Sequence, residues 1–179
     1  MKRGFTIIEI LVSVAIFSVV TLVALGIFNL TLRSQRQSLA DQQIISQASY
    51  VMEYMSRAVR MARKDMPGSC LTVFGAAFNY ETNPQSDRIR FLNYQNICQE
   101  FFLEGGRLKE RKSSDSSAAN FLQPLSLTSP GLTVSAFKIG PSGSWDQQDN
   151  DQPRVTFYLQ ISGASLQTTI SQRNLDVRR

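Results

Sequence analysis

The chain has 179 residues, room for one ordinary domain and an anchor, with a net charge of +5 and a pI near 9.5. Apolar residues make up 42% and charged residues only 18%, a low share for a chain that meets nothing but water. There is no histidine, which removes the commonest general base, the Ser–His and Cys–His nucleophile systems and the His-containing zinc sites. The composition therefore argues against an enzyme, and no catalytic residue, metal or cofactor is expected.

The first element is an apolar helix. Lys2 and Arg3 open the chain, and from Phe5 to Leu32 the only charged residue is Glu9. As a helix this run covers roughly 40 Å, more than the ~30 Å hydrocarbon core of a bilayer. A secretory signal peptide has a shorter apolar core, about 7–15 residues, closed by a small-x-small site. No such site appears before Arg33. The segment is predicted to cross a membrane once. Lys2 and Arg3 favour a cytoplasmic N-terminus and an extracytoplasmic remainder, although Arg33 and Arg36 nearly balance them.

Glu9 is the anomaly. An ionisable residue in a membrane helix costs up to ~3 kcal/mol near the centre and marks function by default. The alternative is a carboxylate that snorkels to a nearby interface at little cost. Its setting is Gly4-Phe5-Thr6-Ile7-Ile8-Glu9 behind two basic residues. This resembles the prepilin signal of type IV pilins and type II secretion pseudopilins: a short basic leader ending in Gly, then Phe, then Glu four residues on. The resemblance implies cleavage between Gly4 and Phe5 by prepilin peptidase and methylation of the new Phe5 amine. It implies that Glu9 pairs with the Phe5 amine of a neighbouring subunit during assembly. A pair at ~4 Å gains about 4 kcal/mol at an effective dielectric near 20, before desolvation is subtracted. An unpaired Glu in lipid would be worse, so Glu9 reads as a register device. The further partners implied are other pilin or pseudopilin subunits, an inner-membrane assembly platform and lipid.

The helix is expected to continue from residue 33 to Met66. Ile45, Ala48, Met52, Met55, Val59, Ala62 and Met66 recur at spacings of three and four, an apolar stripe for a globular domain to pack against. Asp41, Glu53, Arg57, Arg60 and Lys64 take the opposite face, with Glu53 and Arg57 spaced for an ion pair. Pro67-Gly68 is expected to end it. Many major pilins carry a proline in the apolar half; here that half has only Gly26, which counts against a main-shaft subunit.

Strands and turns follow. Leu71–Phe74 is a short apolar run, and Arg88–Phe91 alternates with period two. Residues 100–104 and 107–110 around Gly105-Gly106 read as a tight hairpin. Residues 112–119 are a Ser-rich loop, and 140–153 a long polar one. Residues 132–139, 154–161 and 166–171 read as three further strands, the last two joined by residues 162–165. The predicted fold is α+β, one long helix covering an antiparallel sheet in a pilin-like arrangement. Its parts are a leader (1–4), a transmembrane and assembly helix (5–32), an amphipathic helix (33–66) and a β-rich extracytoplasmic head (67–179).

Three constellations remain. Cys70 and Cys98 are the only cysteines, and outside the cytoplasm such a pair is expected to be bridged, the alternative being two buried thiols that never meet. Asp146, Asp149, Asn150 and Asp151 are oxygen-rich, yet lack the spacing and Gly of an EF-hand loop, so a solvated acidic loop is the better reading than a Ca²⁺ site. Trp145 beside them is either a contact residue or a cover for the sheet edge. The reading as a whole is a non-catalytic minor subunit of a type II secretion pseudopilus or a type IV pilus. The missing proline, the size of the head and the segment 166–174 most resemble the minor pseudopilin of the J type. The alternatives are a competence-pilus subunit that binds DNA, supported by the basic pI, and an anchored enzyme, which the missing histidine disfavours.

Overall fold

The computed structural model describes residues 6–72, 78–140 and 152–173. The chain divides into two compact units, Met1–Gln43 and Ile44–Arg179. A single helix, α1 (Ile7–Arg60), supplies the first unit and the start of the second. Among the described residues of the first unit no large apolar side chain is buried: Ile7 is 80% exposed and Phe17 72%.

The second unit is an α+β head. Its strands are β1 (Glu81–Thr82), β2 (Arg88–Leu92), β3 (Cys98–Glu104), β4 (Arg107–Lys112), β5 (Leu125–Ser126), β6 (Val134–Gly140), β7 (Arg154–Ile161) and β8 (Ala164–Ser171). They form two antiparallel sheets rather than the one expected, with orders β1-β2-β3-β4-β5 and β6-β7-β8. The break follows from the sequence around β5. Pro124 precedes it and Pro130-Gly131 lies soon after, so the strand ends after two residues. The chain then leaves the first sheet, and β6 takes β7 as its partner. β6 still abuts the turns of the first sheet: Val134 N–H donates to Gly106 O at 2.8 Å and Ile139 N–H to Ser86 O at 2.8 Å.

One core joins the head. α1 contributes Ala48, Val51, Met52, Met55 and Val59; the five-stranded sheet contributes Ile89, Phe91, Phe101 and Leu108; the three-stranded sheet contributes Phe137, Phe157, Leu159 and Ile161. The period-two pattern of β2 and β7 accounts for this directly, since every second residue turns to the helix. Fully burying a side chain such as Phe157 stabilises by roughly 1.5–3 kcal/mol. The predicted helical stripe is right in its centre and wrong at its ends. Ile45 and Met66 are exposed, while Val51, outside the predicted set, is buried.

The helix stops at Arg60, not at Met66 before Pro67-Gly68. The chain beyond is drawn to the sheet: Arg63 N–H donates to Leu92 O at 2.8 Å and Asp65 N–H to Phe78 O at 3.0 Å. Donors from elsewhere satisfy the last carbonyls. Tyr80 Oη donates to Val59 O (3.2 Å), Arg173 N–H to Arg60 O (2.9 Å) and Gln172 Nε2 to Ala62 O (2.6 Å). Tertiary bonds thus overrule the sequence stop signal.

Smaller differences are local. The β7–β8 loop is the pair Ser162-Gly163 rather than four residues, with both φ angles positive, so β8 begins at Ala164. The Ser-rich loop ends in a single 3₁₀ turn, Ala118–Asn120, capped by Ser117. β1 and β5 have no counterpart in the expected strands. Leu71 is buried without forming a strand, and the rest of the 71–74 run lies outside the described residues.

Candidate functional site

The N-terminal segment carries the predicted chemistry. Gly4 and Phe5 lie outside the described residues, so the geometry begins at Thr6. Thr6 precedes the first helical residue, and Glu9 is three residues further on. The Glu9 carboxylate accepts from Thr6 N–H and from Thr6 Oγ1, both at 2.9 Å, and Glu9 N–H donates to Thr6 Oγ1 at 3.4 Å. This is a capping box, in which two side chains satisfy the free amides of the first helical turn. The carboxylate therefore points back toward the helix N-terminus, where the macrodipole is positive. The Thr-x-x-Glu signal stands openly in the sequence ahead of an apolar run, and the composition-led reading passed over it.

The polar residues of the apolar half are satisfied within the helix as well. Ser13, Ser18, Thr21, Asn29 and Thr31 each donate to the carbonyl four residues earlier, at 2.7 to 3.0 Å. Side chains bonded in this way leave no donor to be carried bare into hydrocarbon. The helix is long and apolar enough to cross a membrane. A Cβ added at Gly26 would meet nothing within 4 Å, so no packing inside the chain requires a glycine there.

In the head, the structure joins Cys70 and Cys98 in a disulfide with a Cα–Cα distance of 5.4 Å. Asp65, fully buried, organises the approach by accepting from Cys70 N–H (2.8 Å), Leu71 N–H (2.7 Å) and Gly68 N–H (3.1 Å). The bridge sits with Leu71 and Leu92 in a second small cluster, against which Phe121 and Ala118 pack. Trp145 and the oxygen-rich residues Asp146, Asp149, Asn150 and Asp151 lie outside the described residues. Among the described residues, no group of three or more His, Cys, Asp or Glu is placed to hold a metal ion.

Two polar clusters in the head were not foreseen. Glu100, fully buried, meets Arg88 at 3.0 Å, Arg90 at 3.1 Å and Arg111 at 3.1 Å. Arg88 and Arg111 also lie over the Phe102 ring, and Arg90 and Arg111 over Phe121. Glu110 is buried under the helix, accepting from Tyr54 Oη (2.8 Å) and Gln99 Nε2 (2.5 Å), with Lys112 Nζ 3.2 Å away. The Glu110 cluster pairs one carboxylate with one amine, whereas the Glu100 cluster keeps an excess of positive charge even with Glu81 3.6 Å from Arg90.

The first 25 residues match the family model described as the prokaryotic N-terminal methylation motif. Over those 25 residues the match supports the resemblance to type IV pilins and pseudopilins. No curated protein and no solved structure matches the chain. A motif of this kind supports processing by prepilin peptidase. The apolar half of α1 is consistent with a membrane-anchored pilin of this kind.

Proposed function

We propose that this pilin-like chain is a minor, non-catalytic subunit of a type II secretion pseudopilus or a type IV pilus, closest in kind to the J-type minor pseudopilin. Prepilin peptidase cuts between Gly4 and Phe5 on the cytoplasmic face and methylates the Phe5 amine. The first unit then anchors the subunit in the inner membrane, with the head outside the cytoplasm, until the assembly platform passes it into the fibre. The observation that carries this reading is the methylation motif running into a helix whose only charge from Ile7 to Leu32 is Glu9.

Glu9 has two successive partners on this account. In the single chain it caps its own helix through Thr6. In the fibre the methylated amine of a neighbour's Phe5 joins it, so the charge enters apolar surroundings already solvated by its own backbone. The competence alternative, in which a basic head binds DNA, is less well supported. Its support is the basic pI alone.

Intact-mass analysis of protein extracted from its native membrane tests the proposal. The mature chain should start at Phe5 and carry one added methyl group. A chain that starts at Met1, or is cut between residues 20 and 35, would overturn it.

A further inference from the structure

The outer edges of the two sheets are handled very differently. β1 and β5 close the first sheet with two residues each, too short to template another strand. The free side of β6 is met at both ends by backbone bonds to the turns at Gly106 and Ser86. β8 is different. It runs for eight residues, Ala164–Ser171, with β7 on one side and, among the described residues, no strand on the other.

The register shows which backbone groups face outward. Ile161 and Ala164 flank the two-residue turn and form a bonded pair, so bonding to β7 recurs at Leu166, Thr168 and Ile170. The N–H and C=O groups of Ser165, Gln167, Thr169 and Ser171 therefore point away from the sheet. All four residues are exposed. β8 carries no charged residue and no proline, and its pairing with β7 has no bulge. Those are the usual devices that stop an edge from pairing, and none is present. Beside the edge lies a groove of about 310 Å³ lined by the apolar side chains of Met52, Leu166 and Ile170 and, among its polar residues, by Ser56, Thr168 and the charged Glu53 and Arg60.

A row of alternating donors and acceptors at strand spacing is satisfied in full by one chemistry, another extended backbone. We propose that β8 accepts a strand from a different protein, uncharged along a stretch matching its eight residues and apolar at every second position. Main-chain bonds to Ser165, Gln167, Thr169 and Ser171 hold that strand, and its apolar residues lie over the groove beside Met52 and Leu166. A second copy of this chain fits poorly. The other edges of the head are too short or already met by turns. Pairing β8 with its own copy needs a two-fold axis normal to the sheet, which sets the two α1 segments running in opposite directions. Subunits held in one membrane by the same N-terminal segment face the same way. The strand site lies in the head alone, while the exclusion of a second copy rests on the membrane-anchored reading proposed above.

Amide-resolved hydrogen exchange on the purified full chain in detergent micelles tests this. The probe is a peptide with the sequence of Val155–Ile161, uncharged along its length, whose alternation already suits β8 across its inner edge. Alone, the chain should exchange rapidly at Ser165, Gln167, Thr169 and Ser171 and slowly at Leu166, Thr168 and Ile170. Saturating peptide should slow the first four by at least about tenfold, and the same peptide N-methylated at alternate amides should not. A Gln167→Pro, Thr169→Pro double variant should lose the effect while keeping the Cys70–Cys98 bridge. If that variant does not fold, the N-methylated peptide supplies the same contrast on the native chain. No slowing at peptide concentrations up to about 1 mM overturns the proposal. Slow exchange at the four amides in the dilute chain alone would also overturn it. So would protection that grows with the chain's own concentration, since a second copy would then be the occupant.

Discussion

The two units of this chain solve the same problem in opposite ways. Among the described residues, the first leaves every large apolar side chain exposed and bonds its hydroxyl groups within one helix. The second buries apolar side chains against one another and satisfies buried charges from neighbouring strands and turns. A segment whose apolar surface has no partner within its own chain is written for surroundings that the chain does not contain. A segment that closes on itself is written for water. Substitutions should therefore separate cleanly: changes in the first unit ought to alter assembly without touching the stability of the head, and changes in the head the reverse.

The largest expected effect breaks that comparison at Glu9. Glu9→Gln keeps the shape and the cap on Thr6 while removing the charge. Membrane insertion and cleavage should proceed normally, while incorporation into fibres should collapse, because a neighbour's amine then enters without a counter-charge at a cost of about 3–5 kcal/mol. The measurement is the fraction of cleaved, inserted protein found in fibres or co-purifying with other subunits. Normal incorporation would leave Glu9 with only its capping role.

Next comes the disulfide. Replacing both Cys70 and Cys98 by Ser should destabilise the head by about 3–4 kcal/mol, given the separation of 28 residues that the bridge closes. Denaturant unfolding of the head reads this directly. Processing at the N-terminus should be unchanged, and a processing defect would mean the two units are not independent.

A smaller effect concerns alkaline pH. Burial holds the Tyr80 hydroxyl well above its ordinary value. Burial alone would pull Lys112 down, but the Glu110 carboxylate and the Tyr54 hydroxyl outweigh it and keep the amine above its ordinary range. Both groups bind their protons more tightly folded than unfolded. Their contribution is thus complete below about pH 10 and is lost as pH rises through the folded values. The melting temperature of the head should stay level to about pH 9 and fall beyond pH 10, with a shallower fall in Tyr80→Phe. A melting temperature that rises above pH 10 would contradict the assignment.

The smallest effect is at Glu53. Its 2.5 Å pair with Arg57 is foreseen by the spacing, yet both side chains are mostly exposed. Glu53→Ala should cost no more than about 0.3–0.5 kcal/mol, near the limit of thermal melts. A loss of 2 kcal/mol or more would show that Glu53 has a further partner.

Local chemistry made much of this legible. Gly105 and Gly106 both adopt positive φ, which is why the hairpin could be placed to the residue from two letters. The alternation of Arg88–Phe91 and of Arg154–Ile161 gave β2 and β7 for the same kind of reason. What stayed hidden depends on register between distant strands. Glu100 reads as a solvent-facing charge until β2 and β4 place Arg90 and Arg111 on either side of it. The two-residue strands β1 and β5 carry too few residues to show any period. The helix end at Arg60 depends on donors from Tyr80, Gln172 and Arg173, which no local stop signal reveals. At the candidate site the Gly-Phe-Glu spacing was visible, and so was the Thr6–Glu9 cap, for a reader looking for caps rather than for lipid.

Those bonds at the end of α1 also set an order of events. Ala62 accepts from Gln172, a residue synthesised 110 positions later. Until that late stretch has left the ribosome, the carbonyls at the end of the helix stay open and the head lacks its clasp. The anchor can insert early, but the head locks only when almost all of its chain has arrived. A subunit interrupted during synthesis would thus remain visibly unfinished, open at the seam between helix and sheet, where quality-control proteases could find it before it reached a growing fibre.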